Sequence, residues 1–183
     1  MLRIIAGSLK GRRLLTPKWD GLRPTSDKLR ETLFNILALR VVDARVLDAY
    51  AGTGAIGIEA LSRGAAHVTF VDDDPRAVKL INENVARCGQ TNRYAIIRSQ
   101  FGAKMPPSVA SQSFDVAVLD PPYDEPDLAA AVMAAEPLVA TGGLVVLEHA
   151  RRREAPEAAG RLSRVRVVNS GDSALAFYER TSD

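Results

Sequence analysis

Cysteine is nearly absent from this chain of 183 residues: Cys88 stands alone. One thiol cannot build a disulfide framework, which excludes the stapled secreted scaffolds and points to a reducing compartment, here the cytoplasm. Long apolar runs are missing too. None approaches the roughly 20 residues of a membrane span, and the apolar pieces near the basic N-terminus are too short for a secretory signal. The two histidines, His67 and His149, fall at the beginning and end of expected strands and are read as surface groups. No His, Cys and Asp cluster has ligand spacing, so no metal is expected. There is no internal repeat, low-complexity tract or second compact unit. What remains is ordinary: 46% hydrophobic and 25% charged residues describe a globular protein with one substantial core.

Charge is scarce in net terms, +2 in all, but unevenly spread. Residues 1–30 carry eight basic residues against Asp20 and Asp27, a net +6, while the remainder holds 16 basic and 20 acidic residues. A basic arm on a mildly acidic body suits a polyanion gripped at one end. The pieces Leu2–Ala6 and Arg12–Leu15, around Gly7 and Gly11, read as a hairpin or extended arm. Arm and body are divided as residues 1–24 and 25–183.

Thr25 or Ser26 is the candidate N-cap of a helix over Lys28–Arg40. From Arg45 strand and helix alternate. Strands are expected at Arg45–Tyr50, His67–Val71, Tyr94–Arg98, Phe114–Leu119 and Leu144–Glu148. Helices are expected at Ala55–Arg63, from Asp74-Pro75 to Cys88, and at Asp127–Val139, with Gly142-Gly143 as a turn. Such alternation implies an α/β fold with a doubly wound, Rossmann-like parallel sheet of order 3-2-1-4-5. The last two strands, near Leu162–Val168 and Ala174–Arg180, have no helix between them and form an antiparallel hairpin at the sheet edge.

Two stretches carry chemistry. Gly52-Thr53-Gly54-Ala55-Ile56-Gly57 follows the first strand as G-x-G-x-x-G, and Asp72 lies 20 residues beyond Gly52, where a ribose-binding acid belongs. A dinucleotide enzyme is one reading. Asp48 opposes it, since a carboxylate before the loop suits a cation such as the amine or sulfonium of S-adenosylmethionine rather than a pyrophosphate. The second stretch is Asp120-Pro121-Pro122-Tyr123. Two prolines fix φ and remove two backbone donors, leaving a rigid corner that offers a carboxylate, free carbonyls and a flat ring. Strands one and four are neighbours at the switch point of such a sheet, so both stretches open into one crevice. Methyl transfer to a planar amine fits it better than hydride transfer.

The run Asp48–Gly57 together with Asp120-Pro121-Pro122-Tyr123 resembles the S-adenosylmethionine-dependent amino-methyltransferases. Arg3-Ile4-Ile5-Ala6-Gly7, Leu22–Asp27, Arg30-Glu31-Thr32-Leu33-Phe34-Asn35, Glu59–Ala65 and Gly171–Leu175 extend the likeness nearly end to end. The chain is similar to the RsmD family, which methylates guanine N2 of 16S ribosomal RNA. The Asp-Pro-Pro-Tyr motif alone would also allow adenine-N6 or cytosine-N4 chemistry on RNA or DNA, and a non-catalytic RNA-binding module is the rival from another class. The resemblance implies a class I methyltransferase with S-adenosyl-L-methionine held by Asp48, Tyr50, Ala51, Gly52, Thr53, Gly54, Asp72, Asp73, Gln100 and Asp120. Gln100 stands where relatives often have Asp or Asn. Asp120, Pro121, Pro122 and Tyr123 are the catalytic candidates: Asp120 and the Pro121 carbonyl accept from the amine, and Tyr123 stacks on a flipped base. The departing proton goes to Asp120 or to water. Arg3, Lys10, Arg12, Arg13 and Arg23 are the expected RNA contacts. Arg151-Arg152-Arg153 is either part of the RNA face or a solvated loop. The expected partner is 16S ribosomal RNA in an assembled small-subunit particle, and the expected state is a monomer.

Overall fold

In the computed structural model, residues 2–19, 25–102 and 105–182 are described. Arg23 and the division at residue 24 lie outside them. The strands are β1 Arg45–Ala49, β2 His67–Asp72, β3 Tyr94–Arg98, β4 Phe114–Leu119, β5 Val139–Ala150, β6 Ala158–Ala159, β7 Leu162–Ser170 and β8 Ser173–Arg180. They form one sheet in the order β3-β2-β1-β4-β5-β8-β7-β6. The first five are parallel, and β8, β7 and β6 add antiparallel to the β5 edge. This is the doubly wound, class I methyltransferase arrangement with its C-terminal hairpin. The central strands are apolar because helices cover both faces: Leu47, Val68, Phe70, Ala117 and Val146 are all fully buried.

The helices are α1 Asp27–Leu37, α2 Ala55–Ser62, α3 Pro75–Arg87, α4 Pro107–Ala110 and α5 Leu128–Ala135. Ser26 caps α1 by accepting the Leu29 N–H at 3.1 Å. Asp74 caps α3, with Pro75 at its first position, where the missing N–H costs nothing. Two boundaries differ from expectation. The helix expected to Val139 ends at Ala135, because Pro137 cannot donate and drives a short 3₁₀ turn over Glu136–Leu138 instead. Strand β5 then begins at Val139 and runs through Gly142-Gly143, with a register shift against β4 between Phe114 and Val116. An irregular pair absorbs the glycines that suggested a turn. The helix expected to Arg40 gives way after Leu37 to a 3₁₀ turn, Ala38–Val41. The short elements α4 and β6 were not anticipated.

The N-terminal arm is seated on the body. Its hairpin has one bridge, Arg3 to Arg13, and Leu2, Ile4, Leu9 and Leu14 are buried in the main core. Polar residues of the body bind its backbone. Glu59, fully buried in α2, accepts the N–H groups of Ile5 at 2.8 Å and Ala6 at 3.0 Å. The Ser62 hydroxyl accepts from Leu9 at 2.9 Å and donates to the Ala6 carbonyl at 2.5 Å. Gly7, at φ +82, lies so close to α2 that a Cβ there would stand 1.9 Å from the Ser62 carbonyl oxygen, so glycine is required. From α3, the buried Asn84 accepts the Leu15 N–H at 2.7 Å and donates to its carbonyl at 3.1 Å. On the other flank Arg30, wholly buried, donates to the Arg3 carbonyl at 2.8 Å and to Asp27 at 2.6 Å. One of the eight basic residues is therefore an internal fastener. Among the described residues no helix is long and apolar enough to cross a membrane.

Candidate active site

The C-terminal ends of β1, β2, β4 and β5, the start of α1 and the β7–β8 turn enclose a crevice of about 660 Å³. It lies across the β1–β4 switch point, where ligands bind in open α/β sheets.

Asp48 is the next-to-last residue of β1 and turns its carboxyl beneath the glycine loop. Its side chain is 1% exposed, and Oδ2 accepts the Gly57 N–H at 2.8 Å, one of the donors that the start of a helix leaves unsatisfied. Burial holds its carboxyl well above the ordinary range, against the Gly57 bond; Asp120 and Asp72 add to the rise. Asp48 thus holds the glycine loop, and it is not among the residues lining the crevice. After it, Tyr50 adopts φ +58, a left-handed conformation that costs energy for a non-glycine residue and clusters at functional sites. The turn sends the Tyr50 ring into the crevice, edge-on to Phe101 at 5.5 Å between centroids. Burial pushes its hydroxyl to about 12. Gly54 at φ +75 starts α2, and the Thr53 carbonyl receives the third bond of Asn84, at 2.9 Å. One buried amide therefore ties the arm to the loop.

Asp72 closes β2 at the crevice wall. Its two oxygens accept from Gly52 at 2.8 Å and Asp74 at 2.9 Å, while burial raises its pKa. Asp73 is exposed and also lines the crevice. Ala51, Gly52, Thr53 and Gly54 are buried around the loop. Gln100 is exposed and is not among the residues lining the crevice; the next residue, Phe101, is the buried one, packed on Tyr50. The resemblance singled out position 100, and only the ring contact reveals position 101.

Beyond β4, Asp120, Pro121, Pro122 and Tyr123 all line the crevice. Asp120 Oδ2 accepts the Thr25 hydroxyl at 3.0 Å. Burial raises its carboxyl to about 6, against that bond. Tyr123 is 43% exposed, with its hydroxyl 2.7 Å from Ser173 Oγ, which donates to Glu148 at 3.3 Å. The ring is thereby tethered to two strands that follow it in sequence. Arg153 Nη1 donates to the Glu125 carbonyl and at 3.4 Å to that of Tyr123, so this member of the arginine run fastens the loop behind the corner. His149, read from sequence as a surface group, is buried, and burial lowers its pKa.

The residues present fit S-adenosylmethionine. The crevice rim carries Asp72, Asp73, Asp120, Asp124, Glu148 and Asp172 against Lys28, a field that favours a cation and opposes a pyrophosphate. Asp72 offers acceptors to ribose hydroxyls, and Tyr50 offers an apolar face. Among the described residues no group of His, Cys, Asp or Glu stands where it could hold a metal.

Sheet, loop and crevice define a class I S-adenosylmethionine-dependent methyltransferase. More narrowly, the family model described as "Conserved hypothetical protein 95" matches residues 2–179, and the chain belongs to that family, the RsmD family. The chain is 34% identical over 182 residues to YlbH of Bacillus subtilis (strain 168), provisionally named an rRNA methyltransferase, covering 98% of this chain and 99% of YlbH. Ribosomal RNA small subunit methyltransferase D of Escherichia coli (strain K12) is 51% identical over 85 residues, which span 46% of this chain and 43% of the relative. The solved structure of Escherichia coli yhhF, provisionally described as a methyltransferase, superposes with a TM-score of 0.83 at 33% identity, covering 99% of this chain and 98% of that one.

Proposed function

We propose that the protein methylates the exocyclic N2 amine of a guanine in 16S ribosomal RNA, acting on an assembled small-subunit particle. The observation that carries this reading is the Asp120-to-Tyr123 corner, set at the switch point beside Tyr50 and Asp72. Small-subunit RNA methyltransferase is the name of the Escherichia coli relative, and that name supports the choice of RNA.

S-adenosylmethionine, when bound, supplies an electrophilic methyl group on a sulfonium. The chain must supply a competent nitrogen. The lone pair of an exocyclic amine is delocalised into its ring. Asp120 and the Pro121 carbonyl accept its two N–H bonds, which localises the pair and stabilises positive charge developing on nitrogen. The Pro-Pro corner holds both acceptors rigidly, and orientation of this kind is a large part of catalysis. Tyr123, held through Ser173, stacks on the extruded base, offsetting the few kcal/mol of unstacking. As the N–CH3 bond would form and the S–CH3 bond break, leaving a neutral thioether, nitrogen would become a protonated secondary amine; Asp120, with a pKa of about 6, is ionised at neutral pH and can receive that proton.

Particles from a strain lacking the activity, treated with the protein and S-adenosylmethionine, should gain N2-methylguanine at one position by mass spectrometry. Asp120→Ala should cut turnover at least about 100-fold, near 3 kcal/mol of barrier, with cofactor affinity within a few-fold. Methyl groups found on adenine N6 or cytosine N4, or undiminished turnover by the variant, would overturn the assignment.

A further inference from the structure

We propose that Thr25 is a positioning residue for the reacting carboxylate: its hydroxyl fixes one oxygen of Asp120 so that the other is presented to the substrate amine. The inference rests on the amine-methylating role given to Asp120 above.

Thr25 immediately precedes α1, where a hydroxyl would ordinarily serve the helix. It does not do so here. Ser26 takes the capping bond, and the Thr25 hydroxyl reaches across 95 residues of sequence to Asp120 Oδ2 at 3.0 Å. Both residues line the crevice. A carboxylate needs such a partner. The backbone at Asp120 is constrained by the following proline, but the terminal torsion of an aspartate side chain is broad and roughly two-fold. A donor on one oxygen selects one orientation of the carboxylate plane and leaves the second oxygen as the acceptor for an N–H.

The same bond acts on ionisation. The charged carboxylate is acceptor-only at both oxygens, whereas protonation turns one of them into a donor. Burial raises the pKa of Asp120 to about 6, against the lowering effect of the Thr25 bond. Among the described residues the surroundings offer little other help. Asp48 belongs to β1, Asp72 and Asp73 stand at the end of β2, Asp124 follows on the same loop, Glu148 comes from β5 and Asp172 from the β7–β8 turn; among those residues Lys28 of α1 is the cation in the lining. Removing the Thr25 donor therefore shifts Asp120 toward its protonated form, which is a weaker acceptor for the amine and cannot take up its proton.

The test compares full-length wild-type protein with Thr25→Val, which is isosteric and leaves the Ser26 cap, and with Thr25→Ser, which keeps the hydroxyl. Turnover on small-subunit particles is followed from pH 5 to 9, together with S-adenosylmethionine affinity and melting temperature. For Thr25→Val, kcat at pH 7 should fall about tenfold, the size of one charge-assisted hydrogen bond. Its acidic limb in kcat/KM should move up by about one pH unit, with cofactor affinity within about twofold. Thr25→Ser should bring the limb back. An unmoved limb, or faster turnover by Thr25→Val, would overturn the inference; the latter would mean that the hydroxyl occupies the amine's place. Carbon NMR titration of the Asp120 carboxyl in wild type and Thr25→Val reads the same shift without turnover. A wild type that methylates no guanine defeats the proposed activity, whereas an Asp120 titration unmoved by Thr25→Val defeats this inference alone.

Discussion

Asp48 places a carboxyl group 1% exposed between a strand end and a helix start, with one backbone N–H in reach. Its raised pKa means that the folded protein holds the proton more tightly than the unfolded chain does. The resulting stability is complete below the unfolded value near 4 and is lost as pH rises toward the folded one. Asparagine in its place keeps an oxygen for Gly57 and has no charge to bury. Asp48→Asn should therefore melt no lower than wild type at neutral pH and show a flatter fall in melting temperature above about pH 4. Its affinity for S-adenosylmethionine, measured by calorimetric titration, should stay within a few-fold. A tenfold loss of affinity with melting intact would mean that the charge faces the cofactor after all.

At the scale of elements, the arm is held by residues that belong to α2 and α3. Glu59→Ala removes acceptors from Ile5, Ala6 and Arg63 together. Such bonds contribute about 1.5–3 kcal/mol each where charged, and not additively. A net loss of about 3 kcal/mol should lower the melting temperature by roughly 6–12 °C for a chain of this size. Asn84→Ala should in addition weaken S-adenosylmethionine binding several-fold, because it also releases the Thr53 carbonyl; thermal melts and titrations of the two variants would separate the effects. Neither fastener was legible in the sequence. A polar residue on a helix announces nothing about a partner 53 to 69 residues away. The strands β1 to β4 were legible to within a residue, since buried parallel strands are short apolar runs between turn signals. The beginning of β5 was not, because its glycines imitate a turn. In the site, Asp120 to Tyr123, Tyr50 and Asp72 could be named from motif and spacing. Thr25, Arg153 and the Ser173–Glu148 tether could not, for each acts through a contact that only the closed sheet creates.

Across the whole molecule the charges divide. Arg3, Lys10, Arg12 and Arg13 are exposed on the arm, Arg3 pairing with Asp27 at 3.5 Å, while the crevice beside α1 is lined by carboxylates. Such a division would attract a polyanion to the first region and repel it from the second. We propose that the arm's cations contact RNA phosphates, which position without reading sequence. Arg12→Ala with Arg13→Ala should weaken RNA binding and flatten the slope of log affinity against log salt by one to two units, with S-adenosylmethionine affinity unchanged. An unaltered slope in binding assays across salt concentrations would return these residues to the status of a solvated face.

The seating of the arm also bears on how the chain is made. Its four buried apolar residues, Leu2, Ile4, Leu9 and Leu14, leave the ribosome before Glu59, Ser62 and Asn84, which emerge only later. Synthesis at about 5–20 residues per second leaves the hairpin without its seat for several seconds. The long-range closure that follows belongs to the slower class of folding events. Asn84, among the later body residues to engage the arm, is also the one that grips Thr53. The seat of the arm and the support of the cofactor loop thereby share one side chain, so a chain whose arm has not yet docked should also hold its cofactor loop less firmly.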